Sequence, residues 1–407
     1  MRLFVWPTTR GHLFRNQRAN EEVIDTAEYT RRDRTERLVR RTPPATVQRK
    51  SHDQTTREDR NMTGIANHPG KKLKTLALTS AIALGLAAAS GSLHAEEQPG
   101  AGVTVQPAVA SWTSAVPVSW VFVELLEELG YNVQNPISLS NPVAYLAISE
   151  GDAHYWPNGW FPLHEPQLPD NFHDAGTIFD PLCPACGIQG YLVDAASVER
   201  YGITNITDFQ QDEVRAAFDA TGDGKADLFG CPPGWGCHEG INAMFEKFEL
   251  DEYMNHVDAG YAANFAEALS RIQAGDSALY YTWGPSAWLL ALTPGEDVMW
   301  INAPGIVEDE AERAEGVPGA VTDPIEMGFV AADIQVVANN DFLADNPAAA
   351  ELFRQVSLPI EWISEVDAAM GEQDLSDPMV RPLVQEWIAA NRDTVDGWLE
   401  AARAAAQ

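Results

Sequence analysis

The chain is poor in cysteine and, beyond its first segment, poor in basic residues. Four cysteines in 407 residues exclude an extensive disulfide framework. Residues 1–74 hold 17 of the 27 basic and 9 of the 59 acidic residues, so the remainder carries 10 basic and 50 acidic residues, a formal charge of −40. This charge argues against nucleic acid or anionic lipid as a partner. It predicts a halophile-type surface or, alternatively, that of an ordinary acidic secreted protein.

The chain also lacks a good membrane span. An apolar run of about fourteen residues follows a lysine-rich start and leads to small residues ending at Ala95, the pattern of a secretory signal. The run is too short and too alanine-rich to cross a bilayer. We predict a start at Met62, a signal peptide over 62–95, and a non-native or disordered extension over 1–61. The first cysteine is Cys183, so no lipoprotein anchor is expected and the predicted location is the periplasm.

Catalytic signatures are missing as well. The sequence HEGIN resembles the start of a zinc-protease helix but has Asn242 where the second histidine belongs. GPSAW at 284–288 has Trp288 where the second glycine of a nucleophile elbow belongs. There is no phosphate-binding loop or dinucleotide fingerprint, and nine scattered histidines give no ligand cluster. The sequence therefore predicts a protein that is not an enzyme and has no cofactor.

Short apolar runs alternate with amphipathic stretches along the exported part of the chain. The spacing predicts a strand over 102–110, a helix over 117–130, and a second helix over 141–153. Asn141 is the expected N-cap of that second helix. Such alternation is typical of an α/β fold with mostly parallel sheets. The acidic stretch 304–324 is expected to be a surface loop.

Two of the cysteines form the sequence CPAC, Cys183 to Cys186. A redox motif of this kind places its first cysteine at a helix N-terminus, where the pKa of the thiol is lowered. Here the sequence continues directly into a predicted strand, GYLVD. A local disulfide in an oxidising compartment is therefore the preferred interpretation, with thiol–disulfide chemistry as the rival.

The other two cysteines enclose a tryptophan in GCPPGWGC, residues 230–237. Export makes a Cys231–Cys237 disulfide the expected state, and a metal site would need two further ligands. The prolines and glycines of the loop restrict and shape its backbone. The amides of Gly236 and Cys237 lead into a predicted helix, where free N–H groups can bind an anion without a charged side chain.

A weaker pattern precedes this loop. DATGDGKAD places side chains at positions 1, 3, 5 and 9 of a calcium loop, but position 12 is Gly230 where a bidentate Glu belongs. An Asp/Gly-rich turn is the preferred interpretation, and calcium the minor one. The candidate ligands are Asp219, Thr221, Asp223 and Asp227.

GCPPGWGC, the preceding DATGDGKADLF and the helix that follows resemble the glycine betaine-binding proteins of the ProX type. These are periplasmic subunits of an osmoprotectant ABC importer, with an OpuAC-like domain. NGWFPLH at 158–164, ALYYTWGP at 278–285 and NPAAAELF at 346–353 fit the same family. The resemblance runs over about 102–400, and CPAC and the strongly acidic composition depart from it.

The resemblance implies site residues and a fold. An ammonium box would be formed by Trp160, Trp235 and Trp283. The partners of a ligand carboxylate would be the His164 side chain and the backbone amides of Gly236 and Cys237. The family's fold is α/β and two-lobed, of the type II periplasmic binding protein kind, with the ligand cleft between lobes. Its crossovers imply one lobe at 96–198 with 336–407 and the other at 199–335.

The function that the resemblance implies is capture of glycine betaine or proline betaine. A monomeric, exported protein would deliver this small zwitterion to the permease and ATPase subunits of an ABC importer. The same fold holding choline, carnitine or another quaternary ammonium is the nearest alternative. A sensor subunit and a periplasmic thiol–disulfide protein using CPAC remain further alternatives.

Overall fold

The computed structural model of the protein describes residues 98–303, 313–371 and 379–407. The predicted upstream extension, the signal peptide and residues 304–312 of the predicted acidic loop lie outside the described residues. No helix in the described ranges is both long enough and apolar enough to cross a bilayer.

The described residues alternate between short strands and helices, as the sequence predicts. The strands are β1 (Thr104–Val105), β2 (Ala108–Ala110), β3 (Asn132–Val133), β4 (Ile137–Leu139), β5 (Tyr155–Phe161), β6 (Gly176–Asp194), β7 (Ala226–Phe229), β8 (Met254–Val257), β9 (Leu279–Gly284), β10 (Val298–Ile301), β11 (Arg313–Ala314), β12 (Ile325–Glu326) and β13 (Ala332–Asn339). The helices are α1 (Ala115–Glu128), α2 (Asn141–Glu150), α3 (Phe172–Ala175), α4 (Ala195–Tyr201), α5 (Asp212–Phe218), α6 (Gly236–Lys247), α7 (Tyr261–Ala274), α8 (Trp288–Ala291), α9 (Asn340–Asp345), α10 (Pro347–Gln355), α11 (Ile360–Met370), α12 (Val380–Ala390) and α13 (Arg392–Ala405).

Local sequence explains where the main helices begin and end. Helix α1 buries most of its apolar side chains and ends just before Gly130, which has a φ of +89°. Helix α7 ends at Gly275 with a φ of +81°, a left-handed conformation that glycine adopts without strain.

The main sheet is organised by β6, a single strand of 19 residues. Its first part, up to Gly187, pairs antiparallel with β13, which in turn pairs antiparallel with β5. From Ile188 onward it pairs antiparallel with β9, and β10 lies on its other side. The prediction of mostly parallel sheets is wrong for this sheet. The chain crosses the molecule outward along β6 and returns along β13, so these long neighbours run in opposite directions.

Two groups of strands are joined by this crossing, and we call them the first and the second lobe. The first lobe contains β1 to β5 with β13 and the beginning of β6, and the second contains the end of β6 with β7 to β10. Parallel pairs occur where a helix connects the strands, as between β2 and β4 and between β7 and both β8 and β9. The lobe boundaries at 198/199 and 335/336 remain a prediction.

Candidate ligand site between the lobes

A small cavity of about 280 Å³ lies where the two lobes meet. The space is small, so it suits a compact molecule. All six residues singled out from the sequence line it, namely Trp160, His164, Trp235, Gly236, Cys237 and Trp283. Five further residues line it that the sequence did not point to, namely Trp112, Asn141, Leu163, Gln189 and Tyr281.

The end of β5 supplies the first-lobe side of the cavity. Trp160 is 5% exposed, and its backbone N–H donates to His164 Nδ1 at 3.1 Å. The chain then turns, and the His164 N–H donates to the Trp160 carbonyl at 2.8 Å. The indole of Trp156 stacks parallel to the imidazole at 5.9 Å between ring centroids. These contacts fold the histidine back beside Trp160.

His164 is a buried, neutral hydrogen-bonding group. Burial lowers the pKa of its imidazole from 6.5 to about 3. Nδ1 accepts the Trp160 N–H, so the neutral ring carries its proton on Nε2, where it can donate to an oxygen. The imidazole takes up a proton only on unfolding between about pH 3 and pH 6.5. Its burial therefore stabilises the fold fully above pH 6.5 and less as the pH falls through that window.

Asn141 has a different role from the predicted one. It is the first residue of α2, and Ser140, which makes no side-chain cap hydrogen bond, occupies the N-cap position. The Asn141 side chain is instead buried, with its amide nitrogen 3.0 Å from His164 Nε2. The same amide nitrogen donates to Gln167 Oε1 at 3.0 Å, so a flip of the amide would break that hydrogen bond. The cap prediction is wrong because the imidazole competes for the amide.

The GCPPGWGC loop follows β7 in the second lobe. A Cys231–Cys237 disulfide closes it, with the two Cα atoms 6.4 Å apart. Gly234 has a φ of +88°, a left-handed conformation. It also lies close to Ser140, because a Cβ added to this glycine would be 3.1 Å from the serine Cβ. Gly236 has no positive φ, but a Cβ there would lie 2.9 Å from side-chain atoms of Leu163 and His164. Gly234 therefore allows the turn, and Gly236 allows the two lobes to approach each other closely.

Trp235 is the N-cap residue of α6, and Gly236 and Cys237 are its first two helical residues. Amides in the first turn of a helix have no carbonyl one turn earlier to bond. The positive end of the helix dipole also lies here. The start of α6 is consequently suited to an anionic oxygen beside the indole of Trp235.

The indoles around the cavity stand nearly perpendicular to one another. Trp235 lies 5.4 Å from Trp283, at an interplanar angle of 88°. Trp112 lies 5.4 Å from Trp235 and 6.4 Å from Trp160, at angles of 73° and 88°. Perpendicular rings present faces in different directions, so the group forms walls around a space rather than a stack.

Gln189 adds a polar group that no sequence motif indicates. It is 2% exposed and lies across the β6–β9 ladder from Trp283. Its oxygen accepts a hydrogen bond from the Tyr281 hydroxyl at 2.7 Å, and its amide nitrogen is buried without a partner. A buried donor without a partner is costly, and a ligand oxygen would relieve that cost. The signal available in the sequence was a glutamine immediately before the apolar strand GYLVD.

The remaining sequence candidates lie away from this cavity. Cys183 and Cys186 form a disulfide within β6, beside β13, and not at a helix N-terminus. The carboxylate of Asp219 accepts backbone N–H groups from residues 222–224, and that of Asp227 accepts those of residues 220 and 221. In the described ranges no group of three or more His, Cys, Asp or Glu side chains is arranged to hold a metal ion.

Comparison with known proteins identifies related chains over most of this length. The family model for the substrate-binding domain of the ABC-type glycine betaine transport system matches residues 103–390. The glycine betaine-binding periplasmic protein OusX of Dickeya dadantii is 34% identical over 335 residues, 82% of this chain and 98% of that protein. The glycine betaine/proline betaine-binding periplasmic protein of Escherichia coli is 33% identical over 316 residues, 78% and 95% of the two chains.

Solved structures share the fold at lower sequence identity. A choline-binding protein of an ABC transporter, in complex with choline, has a TM-score of 0.58 at 17% identity, covering 74% of this chain and 96% of that one. Lactococcal OpuAC, closed on glycine betaine, has a TM-score of 0.55 at 16% identity, covering 73% and 99%. These similarities confirm the predicted two-lobed α/β fold of the binding-protein type. The chain belongs to the family of substrate-binding domains of ABC-type glycine betaine transport systems.

Proposed function

We propose that this protein is a periplasmic binding protein that captures glycine betaine or proline betaine in the small cavity between the two lobes, which we call the inner cavity. It would hand the ligand, unchanged, to the permease and ATPase subunits of an ABC importer, and would act as a monomer without catalysis. The observation that carries the proposal is the meeting of three box tryptophans with His164 and the start of α6 around one small cavity.

The ammonium end of such a ligand suits the indole walls. A quaternary ammonium has no N–H to donate, so hydrogen bonds cannot recognise it. Indole faces attract it through their quadrupoles, at about 0.5–2 kcal/mol each. Trp160, Trp235 and Trp283 are proposed as this box, and the position of Trp112 between two of them supports a fourth wall. An uncharged box also disfavours strongly hydrated Na⁺ and K⁺, which a carboxylate would attract.

The carboxylate end suits the neutral donors. The proposed partners are the Nε2 proton of His164 and the amides of Gly236 and Cys237, and the unpaired Gln189 amide supports a further donor. Because none of these groups is a cation, a zwitterion is bound without a net charge being buried. Closure of the lobes on the ligand would be a population shift, read by the permease.

The test is a titration of intrinsic tryptophan fluorescence, supported by calorimetry. We expect a saturable change with glycine betaine and a Kd near the micromolar range, or about −8 kcal/mol. Choline lacks the carboxylate, so it would leave the His164 and Gln189 donors unpaired and should bind more weakly. A preference for choline would overturn the ligand assignment, and no saturable response to either compound would overturn the proposed function.

The affinity for glycine betaine is expected to be flat between about pH 5 and pH 8. With its pKa lowered to about 3, His164 stays neutral throughout this range. A cationic histidine with the ordinary pKa of 6.5 would instead strengthen carboxylate binding as the pH falls. A second group titrates in this range, because burial raises the pKa of Asp367 to about 6, and its carboxyl accepts the Ala287 N–H. The pH dependence of the affinity is therefore measured in Asp367→Asn as well as in wild type. A rise in affinity centred near pH 6.5 in that variant would contradict the neutral assignment.

A further inference from the structure

The segment of residues 111–114, between β2 and α1, reaches from the first lobe to two tryptophans of the second. The Ser111 hydroxyl oxygen accepts a hydrogen bond from Trp235 Nε1 at 2.7 Å. The Ser114 hydroxyl oxygen accepts one from Trp283 Nε1 at 3.4 Å. Trp235 follows β7 and Trp283 lies in β9, so each bond joins the two lobes. An indole has a single N–H donor, so each bond fixes the direction of its ring.

The same segment carries Trp112, which lies between these rings and the first-lobe wall. Trp112, Trp235 and Trp283 line the inner cavity and also a larger hollow on its other side. These three indoles are therefore the partition between the two spaces. A ligand in the inner cavity that leaves toward the outer hollow has to pass where the two serine bonds hold this partition together.

We propose that Ser111 and Ser114 are positioning residues that orient two box tryptophans and latch the lobes once the ligand is inside. The inference rests on the proposed function, because it concerns the same cavity. The two acceptors and the two donors belong to different lobes, so the bonds form only on closure. Closure and the final orientation of the ammonium box are then one event, and the latch acts on escape of the ligand more than on its entry.

A bond made only in the closed state affects the dissociation rate. Loss of a hydrogen bond of ordinary strength corresponds to about a fivefold change. We expect Ser111→Ala to raise koff for glycine betaine about fivefold and Ser114→Ala, whose bond is longer, to raise it less. The association rate should stay within about twofold, and Ser111→Thr, which keeps a hydroxyl acceptor, should restore the slow koff.

The experiment is stopped-flow tryptophan fluorescence on the full chain with glycine betaine, together with melting of the ligand-free protein. The proposal implies that the lobes are not latched in ligand-free protein, so its Tm should be the same in wild type, Ser111→Ala and Ser114→Ala. The matched control is Ser119→Ala, because Ser119 is a buried serine whose hydroxyl donates to the Ala115 carbonyl within α1. It should leave koff unchanged.

An unchanged koff in both Ser111→Ala and Ser114→Ala would overturn the inference. So would a fall in ligand-free Tm that accounts for the loss of affinity, since that would indicate a merely structural role. The indole N–H resonances in a ¹⁵N spectrum of the ligand-bound protein give a second readout: that of Trp235 should differ between wild type and Ser111→Ala, and that of Trp283 between wild type and Ser114→Ala. If wild type binds choline and not betaine, the ligand assignment fails while the same koff comparison, made with choline, still decides the latch.

Discussion

Replacing Trp235 with alanine is expected to raise the Kd for glycine betaine by about two orders of magnitude. Trp235 is the indole that contacts both Trp112 and Trp283 at 5.4 Å, so its loss opens the box on two sides. Truncation of a buried tryptophan costs about 3–5 kcal/mol, and here most of that cost falls on the closed, ligand-bound state. Calorimetry measures the change directly, without depending on the fluorescence of the residue that has been removed.

The matched control is Trp398→Ala in α13. Both tryptophans are 8% exposed, but Trp398 does not line the cavity. This control should lower the melting temperature and leave the Kd within about twofold of wild type. Equal affinities in Trp235→Ala and wild type would defeat the box hypothesis.

Gly236→Ala is expected to weaken binding roughly 5- to 150-fold while the ligand-free protein remains stable. The added Cβ would lie 2.9 Å from the His164 Cδ2 atom and from two side-chain atoms of Leu163, all belonging to the first lobe. Overpacking of this kind costs about 1–3 kcal/mol, and the cost arises only when the lobes are closed. With the lobes apart, alanine at the start of a helix should change the free energy of unfolding by less than about 1 kcal/mol.

Calorimetry for binding and thermal melting of ligand-free protein together test this prediction. Gly397→Ala in α13 is the control, because a Cβ there meets no atom within 4 Å. It should bind as wild type does. If Gly236→Ala also binds as wild type does, the two lobes do not approach one another at this residue in the bound state.

The sequence predicted the parts of the site that lie in contiguous motifs. GCPPGWGC holds a disulfide, an indole and two helix-start amides within eight residues, and the structure keeps these together because the loop is short and closed. His164 follows Trp160 by four residues, a spacing that one turn of chain brings into contact. Such motifs depend little on long-range packing, and the residues that the resemblance implies all line the same cavity.

The residues that were missed come to the cavity through tertiary structure. Trp112 lies in a segment with no motif, and it reaches the cavity because β2 runs beside β5 from the bridge between Pro107 and Tyr155 onward. Gln189 and Tyr281 meet because β6 and β9 pair in one particular register. Register between strands 90 residues apart is set by the whole sheet, and no local pattern in either strand specifies it.

The antiparallel arrangement of the main sheet was missed for a related reason. Alternation of strands and helices predicts parallel neighbours when each helix returns the chain to the same sheet. That holds in the second lobe, where α6 and α7 connect β7, β8 and β9. It fails for β6 and β13, which cross between lobes and acquire neighbours that do not adjoin them in sequence.

The continuity of β6 constrains how such a molecule can move. A strand that pairs with β13, through three register shifts, and then with β9 restricts the relative motion of the two lobes more than a flexible linker would. The exchange of partners between Gly187 and Ile188 is where bending can be concentrated, and the Cys183–Cys186 bridge shortens the free chain just before it. The crossing should then resist large rotations, and we expect the opening between the lobes to be limited in angle. A fluorophore pair placed across this crossing would therefore report a small rotation, with a narrow distribution of distances between the two dyes. That is the property wanted in a ratiometric sensor.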